Sequence, residues 1–261
     1  MRSMDIAATG MQAQQLYVEV ISNNIANLNT TGYKQQRAEF QDLLYQNLRA
    51  PGDNSSDAGT IVPVGVQIGI GVKAAAVYRI DTQGNLSQTG NPLDLAIQGK
   101  GFFQILQPDG TIAYTRAGSL QLNAQRQIVT ADGYLVQPTI AIPQGTTSIT
   151  VNQSGEVEAQ VAGQVAPQNV GQMQLAVFAN DAGLLAMGQN LLKETPASGN
   201  PTIANPGVND TGIIQQGFLE TSNVNVVNEI TNLITAQRAY EMNSKVIETA
   251  DQMQQTLNNL R

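Results

Sequence analysis

Neither cysteine nor histidine occurs anywhere in the chain. Without thiols there is no disulfide, no thiolate nucleophile and no cysteine-based zinc site. Without imidazole the commonest general base and metal ligand is missing. Carboxylates, Lys, Tyr and Ser remain, but most hydrolase and transferase mechanisms lose their usual participant. Charge is scarce as well. Charged side chains make up 13% of the residues, about half the usual share. The net charge of −7 comes with no basic run, which argues against a nucleic-acid groove. No apolar run reaches the roughly 18 residues of a membrane helix. The N-terminus lacks the basic-then-apolar pattern of a cleavable secretory signal. That test alone points to the cytoplasm.

Proline and glycine are missing from the two ends. All ten Pro lie between Pro51 and Pro206; of 24 Gly, only Gly10 and Gly32 precede residue 50 and none follows Gly217. Pro is expelled from helix interiors and Gly weakens them, so both ends are free to form long helices. Near the N-terminus Met4, Ala7, Met11, Gln14, Val18, Ile21, Ile25 and Leu28 recur with gaps of three and four, the seam of a coiled coil. Gly32 is a stop in the left-handed conformation. The C-terminal helix is expected from about Val226 to Leu260, capped by Asn225, with Glu229 near the positive end of its dipole. It carries two apolar lines: Ile230, Leu233, Gln237, Tyr240, Ser244, Ile247, and Val246, Ala250, Met253, Leu257, Leu260. Two narrow seams ask for more than one neighbour. A simple hairpin of the end helices packed on the body is the plainer alternative.

The middle, about 75 to 220, alternates with period two: "GFFQIL", "IAYTRAG", "SLQLN", "QIVTADG" and "YLVQP" are short runs between turn signals. Asp109-Gly110, Asp132-Gly133 and Ser154-Gly155 are hairpin turns. These readings give an α+β fold. Residues 1–34 with 226–261 form a coiled-coil-like inner domain, 35–74 a connector with a hairpin-like stretch, and 75–225 an antiparallel, partly barrel-like outer body.

Candidate chemistry is thin. "GVQIGIGVK" lacks the spacing of a dinucleotide fingerprint. Glu156 and Glu158 share one face of a strand and do not oppose each other across a cleft as a glycosidase pair does. Arg116 and Arg37 are candidate ion-pair anchors, and Asp94, between apolar neighbours, is expected to be buried with a backbone partner. No catalytic residue, cofactor site or metal site is assigned.

The stretch "SNNIANLNTTGYKQQRAEFQDLLYQ" resembles the N-terminal signature of bacterial flagellar rod and hook proteins, at Asn23, Asn24, Ala26, Asn27, Asn29, Thr30, Gly32, Tyr33, Lys34, Arg37, Phe40, Asp42 and Leu43. The other end, "GFLETSNVNVVNEITNLITAQRAYEMNSK", resembles the family's C-terminal motif at Asn223, Asn225, Gln237, Arg238 and Tyr240. "TGNPLDLAIQGKGFFQI" and "PDGTIAYTRAGSLQL" resemble its middle. Asn228 departs from the acidic residue usual there. "DLLYQNLRAPG" with "VPVGVQIGIGVKAAAVYRIDTQGNLSQTG" is most similar to the distal-rod branch, where this connector goes with a straight, stiff tube; a proximal-rod or hook paralogue is the alternative within the family. A β-rich carbohydrate-active enzyme or adhesin is the alternative outside it.

The resemblance implies a non-enzymatic axial subunit of the basal body that transmits torque for motility. It implies export without a cleaved signal, through the flagellar type III apparatus, and helical self-polymerisation in the periplasm. Its partners would be proximal-rod proteins below, hook protein above and the P- and L-ring bushing around it, with no nucleic acid and no small-molecule substrate. The inner-helix residues expected at subunit contacts are Met4, Met11, Val18, Ile21, Ile25, Leu28, Ile230, Leu233, Tyr240, Ile247, Met253 and Leu257. Before assembly these helices lack neighbours and are expected to be partly disordered.

Overall fold

The computed structural model describes residues 2–51 and 64–259. It is an α+β protein with a helix at each end, α1 (Arg2–Ala26) and α2 (Val226–Asn259), and antiparallel strands between. Residues 52–63 of the expected connector lie outside the described residues, as do Leu260 and the side chain of Leu257. The chain forms two compact units. One gathers Met1–Ile25, Gln36–Tyr78 and Asn225–Arg261; the other gathers Ala26–Gln35 and Arg79–Val224.

The second unit is the β body. Its hub is the strand Phe102–Leu106, paired along one edge with Ile112–Thr115 and along the other with both Leu135–Gln137 and Leu175–Val177. Successive side chains on a strand point to opposite faces. Phe103 and Ile105 therefore enter the main core with Leu95, Ile97, Leu120, Val157, Met173, Leu175 and Ile214, while Phe102 joins Tyr114 and Phe178 in a second cluster. Gly110, Gly133 and Gly155 take left-handed φ values of 82°, 87° and 83°, and each closes a turn by donating its N–H three residues back. The sheet is an open path from Leu185–Gly188 to Gln121–Leu122 and does not close into a barrel. The strands Thr146–Val151, Glu156–Val161 and Gln168–Gln172 leave it to form a sheet of their own. Asp94 is buried as expected, but its carboxylate is satisfied by side chains: Thr89 Oγ1 donates to it at 2.6 Å and Asn91 Nδ2 at 3.0 Å.

In the first unit the two helices run antiparallel. Asn24, near the end of α1, donates to Glu229, at the start of α2. Gly10, fourteen residues back along α1, lies against Asn243, fourteen residues on along α2. Apart from Val20 and Ile21, the seam is made of small and polar side chains. On α2 it follows Glu229, Ala236, Asn243 and Ala250, each seven residues from the last; on α1 the buried positions are Ala7, Ala13, Val20, Ile21 and Asn24. Alanine and glycine let the backbones approach, but each buries little apolar area, so the pair gains less than leucine packing would give. Helix α1 ends at Ala26, two residues before Leu28. Thr30 folds back onto Asn27, N–H to carbonyl and hydroxyl to amide oxygen. Such local bonds compete with helix continuation.

A two-stranded ribbon completes this unit. Gln36–Asp42 pairs with Val72–Arg79, and the pairing continues through Leu43–Gly71 and Leu44–Ile70 into Tyr45–Arg49 against Val66–Gly69. Its root is fixed to α1, where Thr9 Oγ1 accepts the Val72 N–H at 3.3 Å and Tyr17 meets Phe40 edge-on. Further out it is bare: all five residues of Tyr45–Arg49 are exposed, and Leu44 is 82% exposed. A lone ribbon of this kind is marginal in water.

Candidate assembly interface

The residues of the two end motifs do different work from the apolar residues of the helices around them. Asn24 is buried, and its amide is used like a strand partner. Oδ1 accepts the Gln36 N–H and Nδ2 donates to the Gln36 carbonyl, both at 2.8 Å, and Nδ2 also reaches Glu229 at 3.2 Å. Asn223, in the other unit, holds the preceding residue by its N–H alone: its Oδ1 accepts the Gln35 N–H at 2.7 Å, while its Nδ2 donates to the Ile80 carbonyl at 2.8 Å. Asn225 caps α2, its Oδ1 accepting from the N–H groups of Val227 and Asn228. Asn24→Ala removes the clamp and leaves the Gln36 backbone and the buried Glu229 short of a partner. It should cost about 1–3 kcal/mol and speed hydrogen exchange at the Gln36 amide; unchanged exchange there would show the clamp to be idle.

Beside Asn223 lies a buried charge knot. Glu220, with no side-chain exposure, takes Lys34 Nζ on one oxygen and Arg116 Nε on the other, each at 2.6 Å, and also accepts the Gly84 N–H. Arg116 spends its remaining donors on the carbonyls of Ile97, Gly99 and Gly101. Burial alone pushes the Glu220 carboxyl up, but Arg116 and Lys34 outweigh it and hold it below its ordinary value. Gly32, with φ of 69°, brings its backbone onto Arg116 and Ala117, where a Cβ would lie 2.9 Å from main-chain atoms, and its N–H donates to the Glu220 carbonyl. Lys34 of one motif and Arg116 of the middle thus meet on Glu220 beside the other motif. Arg116 is the ion-pair anchor expected of it; Arg37 is exposed. Sequence reading assigned no role to Glu220, although it stands within "GFLETSNVNVV", the stretch that resembles the C-terminal motif.

The other motif residues are spread. Asn23, Asn29 and Asp42 are exposed, Asn27, Thr30, Tyr33 and Phe40 half-buried, and Gln237, Arg238 and Tyr240 exposed on α2. Of the apolar positions expected at contacts, Ile21 is buried in the helix pair. Met4, Met11, Val18, Ile25, Leu28, Leu233 and Ile247 are half-buried, and Ile230, Tyr240 and Met253 are exposed. Of the polar seam residues, Gln14 and Ser244 are half-buried. Val227, Ile230 and Ile234 are 73%, 46% and 46% exposed, and Met242, Val246 and Met253 are 63%, 44% and 56% exposed. Between α1 and α2 an open groove of about 350 Å³ is lined by Gln15, Val18, Glu19, Gln237, Tyr240 and Glu241. These large apolar side chains of α2 face outward while Ala236 and Ala250 are buried. Exposed apolar surface of this extent marks an interaction site.

Three family descriptions fall on the chain in the order of its own segments. The flagella basal body rod protein family matches residues 4–34, the flagellar hook protein FlgE/F/G D1 domain matches 96–159, and the flagellar basal body rod FlgEFG protein C-terminal family matches 215–260. The chain belongs to the flagellar basal-body rod protein family, a family of structural proteins and not of enzymes. Among its relatives are the flagellar basal-body rod proteins FlgG of Caulobacter vibrioides, 61% identical over the full length of both chains, and of Agrobacterium fabrum, 54% identical over 97% of each. FlgG of Bacillus subtilis is 40% identical over 100% of this chain and 99% of its own.

Proposed function

We propose that the chain is the subunit of the distal rod, polymerising through its end helices into a rigid helical tube that carries motor torque to the hook. The observation that carries this reading is the outward placement of the large apolar residues of α2, Val227, Ile230, Ile234, Met242, Val246 and Met253, while its buried positions are Glu229, Ala236 and Ala250. A helix pair so built is stable enough to persist and unfinished enough to need neighbours. Within the helical unit the Asn24 clamp ties the start of the ribbon, Gln36, to α1 and to Glu229 of α2. The bare ribbon continues the exposed apolar surface and fits the stiffening role expected of the connector. In this reading the inner-helix residues and motif residues named above form the subunit contacts and the strap between them. Its neighbours are proximal-rod proteins, hook protein and the ring bushing, and it reaches the periplasm through the flagellar type III apparatus.

The experiment replaces the chromosomal gene with a Val227→Ser, Ile230→Ser, Ile234→Ser variant. All three sites are exposed, so the purified monomer should melt within about 0.5 kcal/mol of the parent. Cells should fail to swim, and isolated basal bodies should stop short of a full rod. Normal rods and normal swimming would sink the reading.

A further inference from the structure

Arg37, expected to anchor an ion pair, is in none within its own molecule. The ion pairs among the described residues are Lys34–Glu220, Lys100–Asp210 and Arg116–Glu220. Arg37 stands on the strand Gln36–Asp42, where side chains alternate between faces. Ala38 is buried and Phe40 meets Tyr17 of α1, so Arg37, Glu39 and Gln41 form the outer row, all three exposed. Members of such a row are about 7 Å apart. Glu39 also accepts the Tyr78 hydroxyl at 2.9 Å. The paired strand Val72–Arg79 adds no carboxylate, and its Lys73 lies toward the Gln41 end.

A row of opposite sign stands on α2. Glu241, Lys245 and Glu248 are exposed and, among the described residues, in no ion pair. They fall within about 60° around the helix, at successive rises of about 6 and 4.5 Å. Glu241 also lines the groove with Glu19 and Tyr240. Arg238 stands about 60° beyond Glu241, away from the groove.

The two rows cannot meet within one molecule. Val18, Gln15 and Glu19, the α1 side of the groove, stand about 100° to 160° around α1 from Tyr17, which holds the ribbon. A contact between two different surfaces is head-to-tail and repeats without closing. Polarity agrees. The strand starts beside Asn24 and passes Tyr17 at Phe40, so it runs against α1 and along α2. In parallel copies Arg37 then meets Glu241, Glu39 meets Lys245, and Gln41 and Lys73 face Glu248. Turning one copy over would set Arg37 on Lys245 and Glu39 on Glu241. Exposed pairs add little affinity; across an interface they fix register and exclude wrong alignments.

We infer that the outer row of the strand Gln36–Asp42 seats on the Glu241–Lys245–Glu248 row of a second, parallel copy of this chain, with Arg37 at the groove beside Glu241 and Glu39 on Lys245. The inference rests on the self-assembly reading and names its contact.

Purified parent and variants are concentrated and sedimented. R37E and E241R each set like charges together and should raise the concentration needed for polymer by about tenfold. Both sites are exposed, so the melts of the monomers should match the parent's. The exchanged pair R37E/E241R should return that concentration to the parent's. R37E/D132R restores the net charge from an exposed turn of the β body and should not. Single variants that sediment like the parent, an exchanged pair that stays defective, or rescue by D132R would each overturn the inference and leave self-assembly intact. Parent protein that never sediments at any concentration overturns the self-assembly reading, and the inference with it.

Discussion

Replacing Glu220 with Ala should destabilise the β body by about 3–5 kcal/mol, the usual cost of stripping one partner from a buried ion pair. The carboxylate has no exposure and faces two cations that are each only 8% exposed. Removing it strands both. Arg116 keeps its three carbonyl acceptors, whereas Lys34 keeps only Thr82 O, so the strap bearing Lys34 should loosen first. In urea the midpoint should fall with little change in slope. Glu220→Gln, which keeps the shape and can still accept hydrogen bonds, should cost less. A midpoint within about 0.5 kcal/mol of the parent for Glu220→Ala would show that the knot contributes nothing net.

Glu220 has a folded value below its ordinary 4.5. The folded state therefore binds the proton less readily, and the stabilisation is complete above the ordinary value and lost as pH falls through the folded one. Asp81 and Asp181 act oppositely. Burial raises both above 3.8, against the pull of nearby cations including Arg79, so they favour the folded state at low pH and cost it stability once pH rises past the ordinary value. The gap between parent and Glu220→Gln should thus be full at neutral pH and shrink below about pH 4. A gap that widened on acidification would contradict the assignment.

Gly118→Ala should be more drastic, leaving no cooperatively folded body. Gly118 accepts the Leu95 N–H at 3.0 Å, and a Cβ there would lie far inside contact distance of the Leu95 carbonyl oxygen. Leu95 is 1% exposed in the main core, so neither backbone can retreat without opening it. Gly110→Ala separates the two uses of glycine. Its φ is 82° but nothing lies near the new methyl, so it should cost only about 1–2 kcal/mol. Circular dichroism melts of both would check the contrast; a normal transition for Gly118→Ala would mean that the strand can shift.

Much of the architecture was legible in the residues. Pro and Gly mark out helices, and both ends are free of them; Asn225 was readable as a cap because its oxygen has only the first-turn N–H groups to serve. The three hairpin turns in the body announce themselves by Asp-Gly or Ser-Gly between alternating runs. The seam of the helix pair was legible only in part: Ala7, Ile21 and Ala250 lie on the lines read from the sequence and are buried, whereas Val20, Asn24, Glu229 and Ala236 lie off them. Hydrophobic periodicity points to the largest apolar residues, and here Ile230, Ile234, Met242 and Met253 are left outside while Ala236, Ala250 and Gly10 close the contact. A pattern shows which faces want cover but not who covers them.

The sequence by itself determined the helical ends, the β-rich middle, the family, and the absence of thiol and imidazole chemistry. These depend on local backbone preference, side-chain period and residue identity. The tertiary structure alone decided that the sheet stays open, and that Asn24 and Asn223 grip Gln36 and Gln35. It alone decided that Lys34 meets Glu220 across 186 residues of chain and which helix face is spent within the molecule. Each of these is a pairing between distant residues, and chain periodicity carries no information about partners that only the fold brings together.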